Sequence, residues 1–167
     1  VWPEMFDRAQ KTIDVEQFYI TPSTGEPLEA SLQALERAAK RGVNIRFLLE
    51  KKFQKNSLDG IARLKTIPGL ELRILDWSRI QGSGIIHAKF FIVDSTRAYV
   101  GSQNFDWRSL KHIHELGLAV SDATVVRSLR AWNSTTCAEI AIASTPITLS
   151  PSRTQRTCGG GRAPRSR

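Results

Sequence analysis

Cysteine is scarce in this sequence: Cys137 and Cys158 are the only two in 167 residues, both toward the C-terminal end. That excludes a disulfide framework and any cysteine-built structural zinc site in the main body. No stretch approaches the ~20 consecutive apolar residues of a membrane-spanning helix. The opening VWPEMFDRAQ lacks the basic flank and apolar run of a secretory signal. No integral membrane span is therefore expected. The chain starts at Val1 and not at Met, so a processed chain or a fragment of something longer is expected, and the missing signal carries little weight. Histidine is also sparse, with only His87, His112 and His114.

What remains is an ordinary globular composition, 41% hydrophobic and 24% charged, in a length that suits one domain. The net charge of +8 looks at first like a nucleic-acid signature. Its distribution weakens that reading. Residues 151–167 contribute five arginines and no acid, while the rest has 19 bases against 16 acids, a surplus of three.

Residues 12–20, TIDVEQFYI, are rich in β-branched and aromatic side chains and predict a strand. Pro27 then opens LEASLQALERAAKR, where Leu28, Leu32, Leu35 and Ala39 fall at helical spacing and Gly42 stands at the expected C-terminal cap. A second strand is predicted at 43–49, a helix in SLDGIARLKTI up to Pro68-Gly69, and a third strand at 70–75. Strand and helix alternate, which argues for crossover helices on a parallel sheet. Three further β runs, 85–94, 98–102 and 114–122, are expected to form the centre of that sheet, followed by a helix at 123–132. The expected class is α/β, an α-β-α sandwich with a mixed, largely parallel sheet over residues 1–132. Residues 133–167, rich in Ser, Thr, Pro, Gly and Arg, read as a mostly disordered basic tail.

Chemistry concentrates between Gly84 and Gly117. Alternation along 85–94 puts His87 and Lys89 on one face of an apolar run. A lysine there calls for an anion nearby, because an unpaired buried ammonium is costly. Gly101 permits close approach of a ligand or another backbone, and Ser102 and Asn104 follow it as neutral donors. Glu115 projects opposite Leu116 and Leu118 and could meet His87 across the sheet, fixing its tautomer.

Taken together, His87-x-Lys89-x4-Asp94-x6-Gly101-Ser102-x-Asn104 resembles the HxKxxxxDxxxxxxGSxN signature of the phospholipase D superfamily at every position. The extension NFDWRSLKHIHELG resembles the branch containing bacterial phospholipase D-like proteins and the animal lysosomal phospholipase D-like exonucleases. The resemblance spans roughly residues 5–131. It implies a phosphodiesterase half-domain needing no metal and no cofactor. His87 would be nucleophile or general acid, Lys89 and Asn104 would hold nonbridging phosphate oxygens, and Ser102 would add a weaker bond. Glu115 would orient His87, while Asp94 and Gly101 would be structural.

The same resemblance implies two such motifs in an active site, and neither His112 nor His114 begins a second His-x-Lys. The second motif would come from a homodimer or from a missing C-terminal half, the latter being favoured. Phospholipid headgroups are the preferred substrate, with single-stranded nucleic acid as the alternative and a non-catalytic anion-binding module as the rival class. For the remaining features the plainer readings are stronger: His112-x-His114 as ordinary histidines rather than a metal pair, QGSG at 81–84 as a turn rather than a phosphate loop. Trp107 and Arg108 could line a substrate groove, and the tail arginines could meet phosphate-rich partners, although a solvated end is the default.

Overall fold

The computed structural model describes residues 1–144. It begins with a short helix, α1 (Trp2–Asp7), followed by β1 (Thr12–Gln17), β2 (Ile20–Thr21) and α2 (Pro27–Lys40). Then come β3 (Asn44–Glu50), a 3-10 helix (Lys51–Ser57), α3 (Leu58–Lys65), β4 (Glu71–Leu75) and α4 (Trp77–Gln81). The chain continues through β5 (Lys89–Val93), β6 (Arg97–Gly101), β7 (Phe105–Asp106), β8 (Gly117–Val120) and α5 (Ala123–Ser144).

Six strands form one sheet in the order β4-β3-β1-β5-β6-β8, and β2 pairs with β7 in a two-stranded ribbon beside it. β1, β3 and β4 run parallel, joined by crossovers that include α2 and α3. From β1 outward to β5, β6 and β8 every pairing is antiparallel. Four of the six strands, β1, β3, β4 and β6, thus point one way, which gives the mixed, largely parallel sheet. The three later strands do not form its centre as the sequence suggested. β1 and β5 are central, and β8 is an edge.

α2 ends as its sequence dictates. Gly42 adopts φ +87°, its amide reaches the Ala39 carbonyl at 2.9 Å, and the Val43 amide reaches Ala38 at 3.1 Å. This glycine-capped ending satisfies the last carbonyls and turns the chain into β3. Arg41 beyond it donates to the Phe6 and Asp7 carbonyls at 3.0 and 2.9 Å, and Arg37 binds the Asp7 carboxylate through two nitrogens. α1, not anticipated from sequence, is held by these contacts and by Trp2, which stacks on Phe105 at 4.8 Å and meets Phe91 and Tyr99 edge-on.

The main core lies on this side of the sheet. Ile13, Val15, Ile45, Phe47, Leu49 and Phe91 pack against Phe6, Leu28, Leu32, Leu35 and Leu64. The opposite face is thinner. Phe90, Ile92 and Ala98 meet Val126 of α5, while Leu48, Leu75 and Ile86 meet Trp77 and Ile80 of α4. The result is an α-β-α sandwich.

α5 runs to Ser144, beyond the 132/133 boundary expected from sequence. Polar contacts anchor the crossing point: the Trp132 indole donates to Glu16 at 3.0 Å, and the amide of buried Asn133 lies 3.4 Å from the other Glu16 oxygen. A carboxylate buried on β1 thus finds its partners where the helix was expected to end. The remainder of the expected basic tail, residues 145–167, lies outside the described residues.

Candidate active site

The alternating directions of β1, β3, β5, β6 and β8 bring five chain segments to one end of the sheet. These are the ends of β1 and β3, the approach to β5, the exit from β6 and the approach to β8. The carboxyl ends of parallel strands are where α/β folds place ligands.

Lys89 opens β5, opposite Gln17. His87 does not lie on the strand, as alternation had suggested. Residues 85–88 form an irregular lead-in after Gly82 and Gly84, which take positive φ values of +75° and +88°. Ile86 turns into the apolar pocket of Leu48 and Leu75, and its neighbour His87 turns out to solvent. The imidazole sits edge-on to the Phe18 ring at 4.5 Å. Burial against this neighbour, reinforced by the Lys89 charge, moves the His87 pKa below its ordinary 6.5. At neutral pH the ring is mostly neutral and carries a free lone pair.

The Lys89 ammonium donates to the His87 carbonyl at 3.1 Å and lies 5.6 Å from the Phe18 centroid. Burial lowers its pKa, and the nearby Glu115 charge pulls the other way. Among the described residues Lys89 forms no ion pair. Two buried side-chain oxygens, Gln17 Oε1 and Asn104 Oδ1, likewise find no hydrogen-bond partner there. Unpartnered polar groups of this kind are uncommon in folded proteins, and the hydroxyls of Ser31 on α2 and Ser109 after β7 are two more among the described residues.

Glu115 does not contact His87 as the sequence suggested. Its carboxylate accepts the Ser102 hydroxyl, whose oxygen accepts the Leu116 amide at 3.0 Å, while the Ser102 amide donates to the Leu116 carbonyl at 2.9 Å. The physical reason is register. Gly101 pairs with Gly117, so Ser102 and Leu116 extend the β6–β8 ladder and draw Glu115 to the serine. The close approach expected at Gly101 is to protein: a Cβ there would press on the Gln103 side chain and the Leu116 carbonyl.

Asp94 lies at the opposite end of the sheet, in the β5–β6 turn, with φ +51°. Its carboxylate accepts the amides of Gln10, Lys11 and Thr12 at 2.9, 2.7 and 3.0 Å. Burial would raise its pKa, but the three amides outweigh burial and hold it below 3.8. Its place is structural.

Arg108 is tied to Asp106. Asp106, fully buried, accepts its backbone amide at 2.7 Å and its Nε at 2.9 Å, together with the Tyr19 and Thr21 hydroxyls at 2.9 Å each. Burial alone would raise the Asp106 pKa, but these donors hold it at about 2, while burial and then Asp106 push Tyr19 to about 12. The network braces the β2–β7 ribbon beside the site. Trp107 meets His112 edge-on at 5.2 Å, and His112 Nε2 lies 3.0 Å from Glu26 Oε2.

Two features escaped the sequence reading. Phe18, Tyr19 and Phe53 form an aromatic bed at the site, with Phe18 and Phe53 centroids 4.1 Å apart. Glu50 ends β3 with its side chain buried. The β-branched and aromatic run in 12–20 was the signal for the first; no local signal marks the second.

Residues 3–135 match the family described as "Cardiolipin synthase, PLD-like domain". The chain belongs to this phospholipase D-like family. It is 31% identical over 150 residues to Phospholipase D Y of Dictyostelium discoideum, covering 79% of this chain and 33% of that protein. It is 36% identical over 123 residues to the virion nicking-joining enzyme of Vaccinia virus, covering 72% and 28%. The chain therefore spans a third or less of these curated relatives. The fold is shared with NucT from Helicobacter pylori, with a TM-score of 0.71 at 16% identity, over 82% of this chain and 85% of that one. The phospholipase D-like family includes phospholipases and nucleases among its members.

Proposed function

We propose that this chain supplies one half of a metal-independent phosphodiesterase site, in which His87 attacks the phosphorus of a phosphodiester. The observation that carries this reading is Lys89: a partly desolvated ammonium beside a neutral, accessible imidazole, with no carboxylate of its own. A phosphodiester anion is what such a pair receives. Lys89 and Asn104 hold the nonbridging oxygens. The His87 ring nitrogen forms a P–N bond as the P–O bond to the leaving alcohol breaks, and a histidine of a second motif protonates that oxygen. Water, or an acceptor alcohol, then gives its proton to that second histidine and attacks phosphorus, and the P–N bond breaks. Ser102 gives its hydroxyl proton to Glu115, so it acts as a weaker donor to the phosphate only when that bond is released.

The second motif comes from another copy of the chain or from a further half of the protein. β8 supports such a completion. Among the described residues it is an edge of the sheet adjoining the site, with Leu118 on the strand and Leu116 just before it exposed at 62% and 74%. Phospholipid headgroup hydrolysis or transfer is the substrate reading carried over from the sequence. A second reading, single-stranded nucleic acid, is favoured by the partly exposed Tyr19 and Phe53 with exposed Lys52 and Lys55 around them, a composition that suits stacked bases and phosphates.

Hydrolysis of bis(p-nitrophenyl) phosphate in EDTA, with mass in solution recorded on the same sample, tests the proposal. Turnover by a dimeric parent and none by His87→Asn is expected, whereas a folded monomer without turnover would mean that the second motif lies in a further half of the protein. Equal turnover in the variant overturns it. Phosphate binding without turnover by a two-motif assembly would favour the anion-binding module. Phosphatidylcholine vesicles and a single-stranded oligonucleotide then separate the two substrate readings.

A further inference from the structure

We propose that Glu50 is a positioning residue, whose carboxylate fixes both the backbone that carries His87 and the support beneath its ring. The inference rests on the phosphodiesterase reading of His87. Glu50 is the last residue of β3 and only 3% exposed. One carboxylate oxygen accepts the Ile86 amide at 2.8 Å, and the other accepts the Lys52 amide at 3.1 Å. Among the described residues it pairs with no cation, since the adjacent Lys51 binds Asp76 at 2.9 Å. A buried carboxylate held only by backbone amides is expensive to keep, and here both bonds lead to the site.

The first bond reaches the residue before His87. Ile86 lies in the irregular lead-in to β5, so no strand partner takes its amide, and Glu50 does so from 36 positions away. The second bond caps the 3-10 helix that contains Phe53. Phe53 packs on Phe18 at 4.1 Å, and Phe18 supports the His87 ring at 4.5 Å. The path from Glu50 to His87 therefore closes on itself, once through backbone and once through aromatic packing. Short bonds from one rigid strand end hold a reacting group with the precision that in-line attack requires.

A recess of about 490 Å³, lined by residues including Glu50, Lys52, Asp76, Ser83 and Gly84, opens beside the carboxylate. Water entering there can take over the freed amides, so truncation of Glu50 leaves a folded chain with a loosened site.

The test compares Glu50→Ala and Glu50→Gln with the parent. In the alanine variant the Ile86 amide exchanges with solvent about tenfold faster or more, as expected for loss of one charge-assisted bond in a local opening. Nuclear Overhauser contacts between the His87 and Phe18 rings weaken with it. The Lys11 and Thr12 amides, held by Asp94 at the far end, keep their protection. The glutamine variant, which retains one acceptor oxygen, recovers part of the ring contact. With bis(p-nitrophenyl) phosphate, kcat falls and KM changes little. Unchanged Ile86 exchange and ring contacts in a folded alanine variant overturn the proposal. So does a uniform loss of protection at Ile86 and Thr12 in both variants, which would mark Glu50 as a general stabiliser. Absence of turnover in a parent assembly that holds both motifs would count against the phosphodiesterase reading alone, because exchange and ring contacts are read without catalysis.

Discussion

The Ser102 hydroxyl donates to the Glu115 carboxylate, and this places an acid close to Lys89 without an ion pair between them among the described residues. Glu115 raises the Lys89 pKa against the lowering effect of burial. Its replacement by glutamine keeps the serine partner and removes the charge. The Lys89 pKa is then expected to fall further, and the alkaline limb of inorganic phosphate binding, followed by calorimetry against pH, to move to lower pH. A limb that stays in place would show that Glu115 has no electrostatic hold on Lys89.

Lys89→Ala removes the cation whose ammonium bonds the His87 carbonyl. A charge-assisted bond contributes about 1.5–3 kcal/mol, so phosphate affinity should fall roughly tenfold or more. Lys89→Arg should retain part of it. Equal affinity of parent and alanine variant would remove the phosphate reading at its base.

His87 is held below 6.5 by burial, then by Lys89, so its lone pair is available from near-neutral pH upward. The acid limb of phosphohistidine formation is therefore expected below pH 6.5, and ring titration by NMR should place the His87 midpoint there. The sign also reaches stability. Between the lowered folded pKa and the unfolded value, the unfolded chain binds more protons at this group, so stability rises with pH across that window. A midpoint at or above 6.5 would contradict both expectations.

The motif residues were legible in the sequence because their identity and spacing are local, and each of them except Asp94 arrives at one end of the sheet. The role of Glu115 diverged for a reason no spacing reports: register. It sent Glu115 to Ser102, where alternation alone had suggested His87. α1 was missed because Trp2 and Phe6 are ordered by rings and arginines far along the chain. The helix at 123–132 was recognised but cut short, since Asn133 looked like the start of a loop until Glu16 supplied its partner. Glu50 had no signal at all. Its meaning lies in an amide 36 residues away.

Gly117 faces Gly101 across the β6–β8 ladder, and the Tyr99 side chain passes over it to reach Gln103 at 3.0 Å. A Cβ at Gly117 would overlap the Tyr99 hydroxyl and ring. Gly117→Ala should therefore destabilise the chain by about 1–3 kcal/mol, the usual range for overpacking, measured by urea unfolding. Combining it with Tyr99→Ala should cost less than the sum of the two single changes. Additive losses would mean that the strands accommodate the methyl group elsewhere.

Asp94 sits farthest from the chemistry and is expected to dominate acid sensitivity at its end of the fold. Its carboxylate takes three amides from Gln10, Lys11 and Thr12, and its pKa lies below 3.8 in consequence. For a lowered carboxyl pKa, the stabilisation is fully present above the unfolded value and is lost as pH falls through the folded one. Asp94→Asn keeps the shape but presents one acceptor oxygen and an NH₂ that opposes an amide donor. At neutral pH it should lower stability by about 1–3 kcal/mol, the cost of leaving amides unpartnered. The gap between parent and variant should then narrow as pH drops below 3.8, because the parent carboxyl becomes protonated and loses the same bonds. Urea unfolding of both proteins from pH 7 to pH 2.5 checks this. A gap that stays constant across that range would mean that the three amides draw nothing from the charge.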